Sequence, residues 1–152
     1  MISICLRYTK NESDAVEVLN NGFLKVFKNI DKYQAGQGSL YTWIRTIIIN
    51  SCLDFIKSKQ RQEQHRELND SVEVHIDPEA IKKINSEALL QMVRQLPPAT
   101  MAVFNLYVVE GFKHKEIAEL LNVTDGTSKW HLSEARKLLQ KMIQQKDIGI
   151  YE

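Results

Sequence analysis

The feature that most constrains this chain is the spacing of its apolar residues, which recur three and four apart in two long stretches separated by a polar one. In the first stretch the set is Val16, Leu19, Phe23, Val26, Phe27 and Ile30; in the second, from Leu40 to about Lys59, it is Ile44, Ile47, Ile48, Cys52 and Phe55. That period places side chains on one side of a 3.6-residue helix, so both stretches are predicted amphipathic helices. The β-branched run Thr46 to Ile49 has strand propensity. Its period nevertheless holds for four turns, and a lone strand among helices would have nothing to pair with. Residues 61–80 (RQEQHRELNDSVEVHIDPEA) carry Pro78 and no sustained period, as a linker does. The expected fold is all-α: two small helical domains, residues 1–60 and 87–146, joined by a flexible polar linker over 61–86, with a helix-turn-helix in the second.

Local signals sharpen the boundaries. Ser13 is a predicted N-cap for the first helix, and Ser39 for the second. Tyr33 to Gly38 (YQAGQG) breaks the pattern between them. A linker of about 25 residues has a typical end-to-end distance near 25 to 30 Å and reaches roughly 80 Å, enough for the halves to touch DNA one or two helical turns apart.

Further along, KHKEIAELLNVTDGTSKWHLSEARKLLQKM has the organisation of two helices and a tight turn. Ile117, Leu120 and Leu121 form the apolar stripe of the first, with the small Ala118 where the helices would cross. Asn122 sits where the turn needs a left-handed residue, which Asn tolerates, and Thr124 is placed to cap the second helix. In that helix Ser128, Leu132, Ala135, Leu139 and Met142 share one face. Trp130, Ser133, Glu134 and Lys137 point the opposite way, with Lys129 alongside. A recognition helix enters the major groove with its N-terminal residues on base edges. Thr127, Lys129, Trp130, His131, Ser133 and Glu134 are therefore candidate base contacts, and Arg136 and Lys137 candidate phosphate contacts. The carboxylate of Glu134 can accept from a cytosine amino group. The simpler alternative, a helical hairpin with a solvated polar face, is weakened by an outward tryptophan.

Charge complicates autonomous DNA binding. The net charge is +1, and by segment residues 1–62 hold nine Lys/Arg against five Asp/Glu, 63–86 three against six, and 87–152 eight against eight. Phosphate neutralisation needs clustered cations, so a chain this balanced is expected to borrow affinity from a partner.

Other classes are disfavoured. No apolar run approaches the roughly 20 residues needed to cross a bilayer, and the start lacks a basic segment followed by an apolar one, so a cytoplasmic protein without membrane insertion is expected. Cys5 and Cys52 lie in apolar-periodic segments without metal-ligand spacing and read as reduced core residues. His65, His75, His114 and His131 form no spaced ligand set, and no phosphate-cradling glycine loop or nucleophile beside a base is present. No enzyme activity, catalytic residue, cofactor or metal is expected.

The stretch from Leu96 to Leu138 (LPPATMAVFNLYVVEGFKHKEIAELLNVTDGTSKWHLSEARKLL) resembles the −35 binding domain of bacterial sigma factors of the extracytoplasmic-function type, through LP, VEG, EIAELL and GT followed by the AR pair. DAVEVLNNGFLKVF and YQAGQGSLYTWIRTIIINSCLDFIKSK resemble region 2 of the same family, which binds core RNA polymerase and melts the −10 element. The resemblance implies an initiation factor whose partners are promoter DNA, the beta-prime and beta subunits of core polymerase, and an inhibitory anti-sigma protein. It implies −10 contacts from Ser39, Tyr41, Trp43, Asn50, Asp54 and Lys57. Of these, Trp43, Asn50, Asp54 and Lys57 are spaced to line one helix face, and a polar stripe with one aromatic suits unpaired bases. It implies polymerase docking through Asp14, Glu17, Asn20, Asn21 and Lys25. Riding on polymerase would explain the modest charge.

Departures from the family pattern are Val16 for an acidic residue, Gly22 for Thr, Asn122 for Gly, Ser128 for a buried Val and Glu134 for an often basic residue. The family also has further residues before ICLRY, so region 2 is N-terminally short here, with weakened polymerase binding or an internal start as the expectation. The competing expectation is a dimeric helix-turn-helix regulator of the response-regulator output type, in which residues 1–60 sense a signal or dimerise.

Overall fold

A computed structural model describes residues 1–63 and 86–148. The chain separates into two compact units, Met1–Arg66 and Glu67–Glu152, and every described element is helical or a turn. Most of the expected linker, residues 64–85, lies outside the described residues, as do His65, His75 and Pro78. The expectation of an all-α chain built from two helical domains holds.

In the N-terminal unit, α1 (Ile2–Tyr8), α2 (Glu12–Lys28) and α3 (Leu40–Glu63) pack on one another. The cap of α2 is Asn11, not Ser13: the Asn11 Oδ1 accepts the Asp14 backbone N–H at 2.8 Å, which starts the helix earlier than expected. The buried side of α2 is Ala15, Val18, Gly22 and Val26. Three residues of the expected apolar stripe, Val16, Phe27 and Ile30, are exposed instead, Phe27 by 71%. The reason lies at Gly22, where a Cβ would stand 2.5 Å from the Ile48 Cδ1. A row of small residues lets α2 approach α3 closely, and that gain in packing decides which of two adjacent apolar stripes is covered. From α3 the core receives Ile48, Ile49, Cys52, Leu53 and Ile56.

The break between α2 and α3 is closed by 3₁₀ turns at Ile30–Lys32 and Ala35–Gln37. Gly38 has φ 145°, a conformation that side chains resist, and the Tyr33 hydroxyl donates to its carbonyl at 3.0 Å. Ser39 caps α3 as expected, its Oγ accepting the Thr42 N–H at 3.2 Å. The helix runs on to Glu63, past the expected end near Lys59, so residues 61–63 close a helix rather than open a linker.

The C-terminal unit contains α4 (Ser86–Arg94), α5 (Pro98–Phe104), α6 (His114–Leu121) and α7 (Asp125–Ile148). Pro98 suits the first position of α5, where no N–H is needed. At its end α5 widens into a π turn over Asn105–Val109, with the Glu110 N–H reaching the Asn105 carbonyl at 3.0 Å. Met92, Leu96, Met101, Val103, Leu106, Ile117, Leu132, Ala135, Leu139 and Ile143 make the core, so α7 buries the side the spacing assigned to it as far as Leu139, after which Ile143 and not the half-buried Met142 turns inward.

Candidate nucleic-acid interface

Helix α6 ends where the sequence requires. Asn122 adopts φ 56°, ψ 50°, and its N–H and that of Val123 return to the last turn, the latter reaching the Ala118 carbonyl at 3.0 Å. Thr124 Oγ1 then accepts the Thr127 N–H at 3.1 Å and caps α7. At the other end of α6 the Glu116 carboxylate accepts the Lys113 N–H at 2.7 Å, a half capping box that the sequence reading missed although K-H-K-E has the three-residue spacing for it.

Two hydroxyl–imidazole bonds set how α7 lies. Ser128, fully buried, meets His114 Nδ1 at 2.9 Å, and His114 stacks on Tyr107 of the π turn with centroids 4.5 Å apart. His131 Nδ1 meets Thr100 Oγ1 of α5 at 3.0 Å. Burial, partly opposed by the Glu134 carboxylate, holds the His131 imidazole below its ordinary value. His131 thus stands apart from the other candidates on α7, tied to the unit's interior.

The remaining residues of the candidate face are differently placed. Trp130 is 59% exposed, its ring edge against His131. Ser133, Arg136 and Lys137 are exposed and Glu134 half-buried. Thr127 lies half-buried, its hydroxyl 2.9 Å from that of Thr124. Lys129 forms an ion pair with Asp125 one turn back at 2.6 Å, and that ammonium holds the Asp125 carboxyl below the usual carboxylate range.

On α3, Asn50 and Asp54 are exposed and Trp43 and Lys57 half-buried, on the one face their spacing assigns. Asn50 is therefore not a buried amide of an isoleucine-rich helix. Trp43 packs on Tyr33 with centroids 5.7 Å apart, which ties its ring to the Tyr33–Gly38 loop. Ser39 spends its hydroxyl on the cap and on Thr42. Tyr41, 64% exposed, lies two residues from Trp43 and so leaves the helix on another side.

On α2, Glu17, Asn20, Asn21 and Lys25 are exposed and Asp14 is engaged with Asn11. Exposed Val16, Leu24 and Phe27 stand among them. Sequence reasoning counted Val16 and Phe27 as core, so it read this docking face as purely polar. Lys25 reaches Asp54 at 2.8 Å, linking the candidate polymerase face of α2 to the candidate base-reading face of α3. Both side chains are about half exposed, so the pair positions more than it stabilises, contributing about 0.2–1 kcal/mol.

A polar helix face with one aromatic in the first unit, and a capped helix-turn-helix with an exposed tryptophan in the second, give the chain two candidate nucleic-acid faces, one in each unit. Residues 1–62 match the family description "Sigma-70 region 2" and residues 86–139 match "Sigma-70, region 4". The ECF RNA polymerase sigma-E factor of Haemophilus influenzae is 22% identical, over 88% of this chain and 77% of that protein. ECF RNA polymerase sigma factor SigW of Bacillus subtilis is 24% identical over 92% and 81% respectively, and ECF RNA polymerase sigma factor SigE of Mycolicibacterium smegmatis 25% over 90% and 54%. In fold the chain is similar to the sigma factor RpoE of Bartonella quintana, solved in complex with the anti-sigma factor NepR, with TM-score 0.62 and 19% identity over 94% of this chain and 89% of that one. The chain belongs to the sigma-70 family, whose members are transcription initiation factors that direct RNA polymerase to promoters. No described helix is long and apolar enough to cross a membrane.

Proposed function

We propose that the N-terminal unit docks on core RNA polymerase through α2 and melts and reads the −10 element with α3, while α7 enters the major groove at −35. The division rests on one observation above the others: the two units carry separate faces open to solvent, half-buried Trp43 with exposed Asn50 on α3 and exposed Trp130 with Lys137 on α7. At −10, unpaired bases stack on Trp43, and Asn50 reads a Watson–Crick edge with its amide. The tether of Trp43 to Tyr33 supports a role for the Ala35 to Leu40 loop in holding a flipped base. At −35, Trp130, Ser133 and Glu134 face base edges, Lys129 lies beside them, and Arg136 and Lys137 face phosphate. His131 acts from behind, by fixing the rotation of α7.

Docking uses Glu17, Asn20, Asn21 and Lys25 together with exposed Val16, Leu24 and Phe27, a mixed face of the composition that protein interfaces favour. Catalysis belongs to the polymerase, and the protein works in the cytoplasm where that partner is. The Bartonella sigma factor was solved with an anti-sigma protein, which supports an inhibitory partner of that kind here.

The test is transcription with purified chain and core polymerase on a promoter selected from random sequence by the reconstituted holoenzyme. Asn50→Ala is expected to change −10 preference and leave −35 preference intact, and Lys129→Ala to weaken the −35 contact alone. A chain that does not associate with core enzyme, or that instead binds a palindromic site as a symmetric dimer, overturns the proposal.

A further inference from the structure

Trp130 is the exposed aromatic of the candidate −35 face, yet its ring is not left to itself. Neighbouring side chains on a helix leave it about 100° apart and do not ordinarily face each other. Trp130 and His131 nevertheless meet edge to face, with ring centroids 4.8 Å apart and planes at 71°. The imidazole is in turn held from another helix, its Nδ1 lying 3.0 Å from the Thr100 Oγ1 of α5. Thr100 is buried, so water does not compete for that bond. We propose that Thr100 is a positioning residue for −35 recognition, which through His131 holds the Trp130 ring in the orientation that meets its base. Resting on the proposed −35 role of α7, this assigns recognition a residue outside the helix-turn-helix, 31 positions before the histidine it holds.

Each link removes a freedom. The terminal torsion of a histidine is broad and roughly twofold, and the bond to Thr100 selects one setting. Aromatic rings prefer an edge-to-face meeting over a parallel sandwich, so an indole against a fixed imidazole keeps one arrangement. A side chain that is free beforehand must be ordered on binding, and that ordering weakens affinity. Trp130 arrives ordered.

The Ser128–His114 bond holds α7 from the side of α6 and does not involve Thr100. Losing the Thr100 hydroxyl therefore frees the indole without turning the helix. The effect is confined to the base that Trp130 meets, and Ser133 and Glu134 keep theirs.

The experiment selects −35 sequences from a random library with holoenzyme reconstituted from core polymerase and the full chain, unsubstituted or carrying Trp130→Ala, Thr100→Val, Thr100→Ser, or Thr100→Val with Trp130→Ala. Trp130→Ala is expected to relax preference at one −35 position. Thr100→Val, which keeps the branched shape and removes the hydroxyl, is expected to relax that same position and to weaken binding to the preferred promoter by roughly three- to tenfold. Thr100→Ser, which keeps the hydroxyl, is expected to restore both. The double variant should match Trp130→Ala, since an absent indole cannot be positioned. A Thr100→Val chain that keeps its preference at that position, or loses preference evenly across the −35 element, overturns the inference and leaves the −35 role standing, as does a double variant worse than Trp130→Ala. Unchanged −35 preference in Trp130→Ala overturns the inference together with the place of Trp130 in that role. Where a variant fails to fold, the unsubstituted chain still decides: nuclear Overhauser contacts between the Trp130 and His131 rings are expected in the free protein, and their absence overturns the inference.

Discussion

In the N-terminal unit α2 and α3 meet through apolar contacts so close that a Cβ at position 22 would push aside the end of the Ile48 side chain, whereas in the C-terminal unit the contacts of α7 with α6 and with α5 each carry a histidine bonded to a hydroxyl. The two solutions suit different tasks. Apolar contact is non-directional and sets how near two helices lie. A hydrogen bond weakens steeply with angle and so also sets rotation about the helix axis. Under the proposed −35 role, a helix that aims Trp130 and Glu134 into a groove needs that rotation fixed, and the Ser128–His114 and His131–Thr100 bonds supply it from two sides.

Each unit carries one tryptophan, Trp43 and Trp130, so fluorescence of single-tryptophan variants follows them separately during unfolding. The largest expected effect is in the N-terminal unit. Gly22→Thr, which restores the residue type the family resemblance implies, should lower its stability by about 2–3 kcal/mol through overpacking against Ile48. Adding Ile48→Ala should cost less than the sum of the two single substitutions, because threonine occupies part of the vacated space. Strict additivity would show that the close approach is not what demands glycine.

Next comes the C-terminal unit, where Ser128→Ala should cost about 1–2 kcal/mol by urea unfolding, since it removes the hydroxyl bonded to His114 Nδ1. A loss of only a few tenths would mean that stacking on Tyr107 alone holds the imidazole. A smaller effect is pH-dependent. Because burial lowers the folded His131 below the ordinary 6.5, the unfolded chain takes up the proton first as pH falls. Stability of this unit should be complete above about pH 7 and decline as pH drops through 6.5 toward the lower folded value. His131→Gln should flatten that slope while leaving the N-terminal unit unchanged; an unaltered slope would place the titration elsewhere. The smallest effect is Lys25→Ala, which should change N-terminal stability by no more than about 1 kcal/mol. Its consequence should appear instead in polymerase-dependent transcription, as the loss of the tie to Asp54.

Much of this was legible in the sequence, where local chemistry decides the outcome. Ser39, Thr124 and Asn122 cap or end helices through their own side chains or backbone preference, and the inward side of α7 follows from period alone. The failures lie where tertiary context decides. On α2 two apolar stripes overlap, and only the shape of α3 at Ile48 selects the one with small residues, leaving Val16 and Phe27 outside. Asn11 outcompeted Ser13 because α1 ends at Tyr8 and frees the backbone there. The π turn and the Lys25–Asp54 bond join residues or break a period in ways that spacing along one helix does not encode. Of the candidate faces, the grouping of Trp43, Asn50, Asp54 and Lys57 was readable, and the engagement of His131 with Thr100 was not.

The ion pair of Lys129 with Asp125 bears on how the protein would respond to salt. A lysine that enters a duplex normally releases condensed counterions, and each phosphate so neutralised steepens the dependence of affinity on ionic strength. If α7 meets DNA as proposed, Lys129 would arrive already paired with a carboxylate of its own helix and would exchange one anion for another, while Asp125 would take up a cation from solution in return. Its contribution to the salt slope would then be smaller than that of a lone lysine. Under that proposal, sequence discrimination at this end of α7 would be separated from general attraction to polyanions, which would be left to Arg136 and Lys137 further along the same helix.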